Sequence, residues 1–227
     1  MRDVKYPAME ETMKVRGVCC KNSLLVLAVV AAMGFAVSGS AWGNVIENWA
    51  SVKAPPPPEL KAVVINPKST ALLLLDFHAP NCTNRPRCMA SLPAMKKLLS
   101  EARAKGVAVV YSLGGKATPD DILKEIAPAS GEPSVRASVD KFAGTDLEKI
   151  LKEKGIDTVI VTGTAAHGAV LYTGSVAALR GMNVIVPVDG MSSEDLFYEQ
   201  ATALLLSKGT GGIGPKVTLT TSEMMKF

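Results

Sequence analysis

Short apolar runs alternate along this chain with segments of helical periodicity. Thr70-Ala-Leu-Leu-Leu-Leu75 is apolar after its first residue and ends on Asp76, the pattern of a central parallel strand covered on both faces. Met89 to Lys105 places Leu92, Met95, Leu98, Leu99 and Ala102 on one helical face, and Gly106 stops it. Val107 to Ser112 reads as a second strand, Pro119 to Ile126 as a short helix with acids in its first turn, and Pro128 to Pro133 as a surface loop. Thr145 to Lys154 predicts a helix with Thr145 as cap, Glu148 closing a capping box and Gly155 ending it. Thr158 to Thr162 is a strand, Ala169 to Arg180 a helix, Asn183 to Val188 a strand, Ser193 to Ser207 a helix, and Val217 to Thr221 a final edge strand.

Strands and helices alternating with short connections predict an α/β fold: a Rossmann-like three-layer αβα sandwich with a mainly parallel sheet of about six strands. Ligands of such sheets bind beyond the carboxyl ends of the strands. Asp76, the turn Gly163 to Ala169 and Asp189 all fall at such ends, so the site is located before its chemistry is known.

Two segments precede this pattern. Lys14, Arg16 and Lys21 stand before the apolar run Leu24 to Val37, and small residues follow around Ser38 to Gly43, so residues 1–43 read as a signal peptide. Met1 and Met13 both remain possible starts, and cleavage after either Ala41 or Gly43 fits the small-residue rule. The alternative is an uncleaved anchor, although the run is shorter than the ~20 residues of a comfortable span. Residues 44–68, with Pro55 to Pro58, read as an extended arm linking to or draping over a domain at residues 69–227. Export predicts a periplasmic or secreted protein with no membrane association once the signal is removed.

Charge adds little. After residue 43 there remain 20 basic and 18 acidic residues, which gives no reason to expect nucleic acid. Cysteine usage adds more: Cys19 and Cys20 lie in the signal segment, leaving Cys82 and Cys88 to close a short loop. In an oxidising compartment a disulfide is favoured over free thiols, and two cysteines without paired histidines do not complete a metal set.

The candidate chemistry gathers at the turn after Thr162. Backbone N–H groups there offer an oxyanion site, and Gly163, Ala165, Ala166, Gly168 and Ala169 let a ligand approach closely. The same small residues also serve tight strand-to-helix packing, and both readings stand. Gly163-Thr-Ala-Ala-His-Gly-Ala169 lacks the Lys-Ser/Thr of a phosphate loop and the spacing of a dinucleotide fingerprint, so no cofactor is expected.

Four blocks resemble the isochorismatase-like (cysteine hydrolase) superfamily over roughly residues 70–223: Ala71 to Asp76, Phe142-Ala-Gly-Thr-Asp-Leu147, Gly163 to Thr173, and Val186-Pro-Val-Asp-Gly190. The resemblance implies a hydrolase acting on a small-molecule substrate, and commonly a homo-oligomer. In amidase members an aspartate, a lysine and a cysteine form a triad in which the cysteine attacks an amide carbon. Carried onto this chain, the aspartate is Asp76, the lysine position falls on Arg136 with Lys141 as the alternative, and the cysteine position is Ala169. A thioester at Ala169 is excluded.

Ala166-His167 and Ala169 are closer to the vinyl-ether-cleaving members, in which the aspartate works as an acid and water completes hydrolysis. The resemblance thus implies Asp76 as acid or base, Arg136 as its cationic partner, and His78, Ala165, His167 and Gly168 at the substrate. No metal is expected. It also implies a cis peptide at Thr164–Ala165. The competing expectation is a degenerate member that binds a small molecule or a partner without turnover.

Overall fold

A computed structural model describes residues 43–227, so the signal segment, all but Gly43, lies outside the described residues. These residues fall into two units, divided after Ala54. In the first, the Asn44 side chain accepts from the backbone N–H groups of Ile46 and Glu47, and a single 3-10 turn covers Trp49–Ser51.

The second unit is built on strands β1 (Val63–Val64), β2 (Thr70–Leu75), β3 (Ala108–Leu113), β4 (Ser134–Arg136), β5 (Thr158–Thr164), β6 (Asn183–Pro187), β7 (Met191–Ser192), β8 (Val217–Thr220) and β9 (Met225–Lys226). Its helices are α1 (Ala79–Cys82), α2 (Pro86–Ala104), α3 (Leu147–Glu153), α4 (Leu171–Leu179) and α5 (Leu196–Ser207). The main sheet runs β4-β3-β2-β5-β6-β8 with every pairing parallel, and β7 adds to the end of β5. This is the α/β sandwich expected from the alternation of elements.

Period-two burial divides β2 between two cores. Leu72 and Leu74 join Leu92, Met95, Leu98 and Leu99 of α2 on one face. Ala71, Leu73 and Leu75 join Leu147 and Leu151 of α3, Ala177 and Ala178 of α4, and Leu206 of α5 on the other. Each buried leucine contributes about 1.5 to 3 kcal/mol, so the run from Ala71 to Leu75 anchors the central strand between the two cores. The chain leaves β2 towards β3 and β4, then crosses back to β5, so the order reverses between β2 and β5. A crevice opens at such a reversal, beyond the strand carboxyl ends.

Several local expectations are revised by tertiary partners. The helix expected over Pro119 to Ile126 is instead two 3-10 turns, Pro119–Asp121 and Lys124–Ile126. A bridge from His78 to Ile122 and the bond from Leu123 N to Phe77 O (3.2 Å) hold the residues between them extended. The Thr145 capping box does not form: Thr145 Oγ1 donates to Lys141 O (2.6 Å), and Glu148 pairs with Lys152 (2.7 Å) and Arg180 (3.2 Å). The helix expected from Ala169 is preceded by a wider π turn at Ala166–Val170. The end of the proline-rich arm joins the domain, because β1 pairs in parallel with β9 and Ile65 is buried in the core.

Candidate active site

At the β2/β5 reversal lies a cavity of about 600 Å³, lined among others by Asp76, His78, Ala165, His167, Gly168 and Ala169. Six of the seven residues singled out from the sequence therefore share one wall-set, and Arg136 is the exception. Asp76 follows β2 directly with φ 58°, an unusual conformation for a residue with a side chain. Its backbone N–H donates to Ser112 O (3.2 Å), and its carbonyl accepts from His78 N (2.8 Å). The residue is only 7% exposed. Ser112 Oγ donates to Oδ1 at 2.7 Å, and Lys141 Nζ donates to Oδ2 at 2.7 Å.

The cation beside Asp76 is thus Lys141 and not Arg136. Arg136, at the end of β4, turns its guanidinium to the carbonyls of Gly115 (2.7 Å) and Ala117, bracing the loop after β3. The resemblance put the lysine position on Arg136, with Lys141 as the alternative, but the chain bends through Ala137 to Asp140 and delivers its ammonium five residues later. Lys141 is fully buried. Its Nζ also donates to Ser138 O (2.5 Å) and Ala137 O (3.3 Å), and its backbone N–H donates to Thr173 Oγ1 on α4 (3.2 Å). A buried ammonium needs this many acceptors. Lys141 was legible only as the alternative to Arg136; Ser112 and Arg85, the latter lining the cavity, had no signal in the sequence.

On the opposite wall, the Thr164–Ala165 peptide is cis. Gly163 pairs with Leu75 across β5 and β2, and a Cβ there would stand 2.5 Å from Leu75 O. The strands beneath the site approach each other only because Gly163 has no side chain. Ala169, at the position of the expected nucleophile, is 3% exposed and reaches the cavity.

The two histidines differ. His167 stacks on Tyr198 of α5 at 4.4 Å, and its Nδ1 shares a hydrogen bond with Ser193 Oγ (3.0 Å), so much of its ring packs towards α5. His78 is buried beside the carboxylate, with Nε2 3.2 Å from Asn81 Nδ2 and no partner for Nδ1. Asn81 donates to Nε2, which puts the ring proton of the neutral form on Nδ1. Burial lowers the His78 pKa below its ordinary value, against the opposing pull of Asp76 and Asp121. Among the described residues no three His, Cys, Asp or Glu side chains converge as a metal-ligand set. Cys82 and Cys88 are joined in a disulfide, Cα–Cα 5.2 Å, beside the cavity loop that carries Arg85.

A doubly wound sheet with a buried carboxylate–lysine pair and a small-residue turn at its switch point defines the class as an α/β fold with a ligand crevice beyond its strand ends. Residues 70–213 match the isochorismatase domain model, and the chain belongs to the isochorismatase family. It is 33% identical over 126 residues to an N-carbamoylsarcosine amidase from Arthrobacter, covering 42% of this chain and 47% of that protein. It is 30% identical over 120 residues to the secreted isochorismatase effector Isc1 of Verticillium dahliae, covering 47% and 62%. The chain thus spans about half the length of the curated relatives it matches. Its fold is shared with a cysteine hydrolase from Pseudomonas syringae (TM-score 0.64, 21% identity, 73% of this chain and 94% of that one). A Thermoplasma acidophilum N-carbamoylsarcosine amidase is similar (TM-score 0.58, 24% identity, 68% and 97%).

Proposed function

We propose that this protein is an exported isochorismatase-like hydrolase that cleaves a small molecule without a protein nucleophile, with Asp76 moving the proton. The observation that carries the reading is the buried Asp76–Lys141 pair at the wall of a cavity whose nucleophile position is alanine. A carboxylate held by one ammonium and one hydroxyl is fixed in place and retains lone pairs towards the cavity, where it can take a proton from water or return one to a leaving atom. Lys141 balances the charge as the proton moves. The backbone N–H groups of Ala165 and Ala169 are the donors assigned to a developing oxyanion. Without a thiol the substrate bond is broken by water in one stage, with no acyl intermediate. Export is supported by the signal-like N-terminus, the Cys82–Cys88 disulfide and the likeness to an effector described as secreted. The working form in this reading is a homo-oligomer in the periplasm or outside the cell.

Ala169 itself favours a second reading, a member that binds its ligand and does not turn it over. The deciding measurement is turnover of isochorismate and of small amides, N-carbamoylsarcosine included, by wild type and Asp76→Ala. Turnover abolished by Asp76→Ala supports hydrolysis. No turnover on any compound, with ligand-dependent thermal stabilisation retained, establishes the binding role instead.

A further inference from the structure

The loop from Cys82 to Cys88 carries two arginines with different surroundings. Arg87 is neutralised: its Nε donates to Glu199 Oε1 at 2.7 Å and its Nη2 to Oε2 at 2.5 Å. Arg85 pairs with no carboxylate among the described residues. Among the described residues its one side-chain hydrogen bond runs from Nη1 to Thr164 Oγ1 (3.3 Å), and it lines the cavity that holds Asp76 and Ala169.

The loop holds Arg85 in place from both sides. Cys82 and Cys88 are fully buried and bonded to each other. Arg85 N donates to Cys82 O (2.8 Å), and Arg85 O accepts from Cys88 N (2.9 Å) and Met89 N (3.2 Å). Its backbone is extended (φ −124°, ψ 94°), as the following Pro86 requires, and Pro86 opens α2. The guanidinium is therefore offered from a fixed Cα, which lowers the ordering cost of binding.

Of the other carboxylate and ammonium groups lining the cavity, only Asp76 has an ion-pair partner among the described residues. Asp76 is matched by Lys141, and the Asp121 carboxylate accepts from Thr118 N (2.7 Å) and Thr118 Oγ1 (2.9 Å). Lys116 is exposed at the rim. Arg85 is the unmatched charge nearest the Thr164–Ala165 turn, and a guanidinium fork fits a planar carboxylate in a way that an ammonium does not.

We infer that Arg85 selects the substrate by its carboxylate, making the ligands of this cavity small monoanionic carboxylic acids presented to Asp76 by a disulfide-closed loop. Apart from the Asp76–Lys141 pair, the charges lining the cavity are Arg85 and Lys116 against Asp121, a single net positive charge that matches a monoanion better than a phosphate dianion. The inference rests on the cavity being the substrate site and specifies which class of molecule enters it.

The test is equilibrium binding of matched acid and amide pairs, N-carbamoylglycine with N-carbamoylglycinamide and benzoate with benzamide, titrated calorimetrically into the oxidised protein. The acids are expected to bind about tenfold tighter or more, as a charge-assisted bidentate contact implies. Arg85→Gln should bring the acid-to-amide ratio to about one while leaving amide affinity within about twofold, and Arg85→Lys should keep part of the preference. Reduction of the disulfide should weaken the acids severalfold and spare the amides. An unchanged melting temperature in Arg85→Gln separates recognition from folding. Equal binding of acids and amides by wild type, or a preference that survives Arg85→Gln, overturns the inference. Binding needs no turnover, so failure of the hydrolytic reading leaves this ratio intact, while hydrolysis confined to neutral amides would sink the inference alone.

Discussion

Lys141 Nζ lies 2.7 Å from Asp76 Oδ2, with the lysine side chain wholly buried and the carboxylate nearly so. Two charges withdrawn from water support each other, and removing either strands its partner. Asp76→Ala leaves the ammonium with only the carbonyls of Ala137 and Ser138. Each single change, Asp76→Ala or Lys141→Met, is expected to cost about 3 to 5 kcal/mol. The double variant should cost clearly less than the sum, because it leaves no unpaired charge. Urea unfolding of all four proteins measures this, and strict additivity would show that the pair is not coupled.

Ala169 stands at the cavity wall with Asp76 and its lysine in place, so the site lacks a nucleophile and not its surroundings. Ala169→Cys restores the third group of the amidase arrangement. The introduced thiol is expected to react with iodoacetamide faster than a model thiol and to confer hydrolysis of small amides that wild type cleaves slowly or not at all. A thiol that stays inert in the folded protein would mean that the position is closed to this chemistry.

How far the sequence disclosed these features follows from how local each one is. β2 and β5 were legible because strands buried on both faces need uninterrupted apolar residues, and Asp76 was legible as the acid that ends one of them. Short β1, β4, β7 and β9 were not, since strands of two or three residues exist only through their partners. Lys141 stood only as the alternative to Arg136 in the resemblance, because its place beside Asp76 depends on the bend at Ala137 to Asp140 and the bond from Thr145 Oγ1 to Lys141 O, which set the actual register. Arg85 had no signal in the chain, for its value depends on Thr164, which is 79 residues away.

His78 gives the stability a pH dependence of known sign. Burial holds its folded pKa below 6.5, whereas the unfolded chain titrates near that value. The unfolded state therefore takes up the proton first as pH falls. Stability from this residue is fully present above about 6.5 and declines as pH drops towards the lowered folded pKa. His78→Gln should flatten that part of the profile while leaving stability at neutral pH within about 1 kcal/mol, since glutamine keeps an amide for Asn81 to contact. Melting temperatures of wild type and variant between about pH 5 and 7.5 check this. An identical slope in both proteins would assign the dependence to other groups.

Gly163 and Gly168 lie on the same turn and should respond oppositely to alanine. At Gly163 the backbone has φ 152°, and an added Cβ would meet Leu75 O at 2.5 Å and Leu75 Cβ at 2.6 Å. Those contacts are backbone and strand, with no flexible side chain to yield, so β5 would be pushed from β2 directly below Asp76. Overpacking and strain together predict a loss of roughly 3 to 5 kcal/mol and a fall in melting temperature of ~10 °C. At Gly168 the nearest atom to an added Cβ is Val139 Cγ1 at 3.6 Å, ordinary contact. Gly168→Ala should hold stability within about 1 kcal/mol, because the lower entropy of the unfolded chain offsets any crowding. Since Gly168 lines the cavity, the same variant should still weaken ligand binding, through a methyl group placed in the space the ligand needs. Parallel thermal melts and a calorimetric titration of the two variants test the contrast, and equal tolerance at both positions would show that β2 and β5 can part beneath the site without penalty.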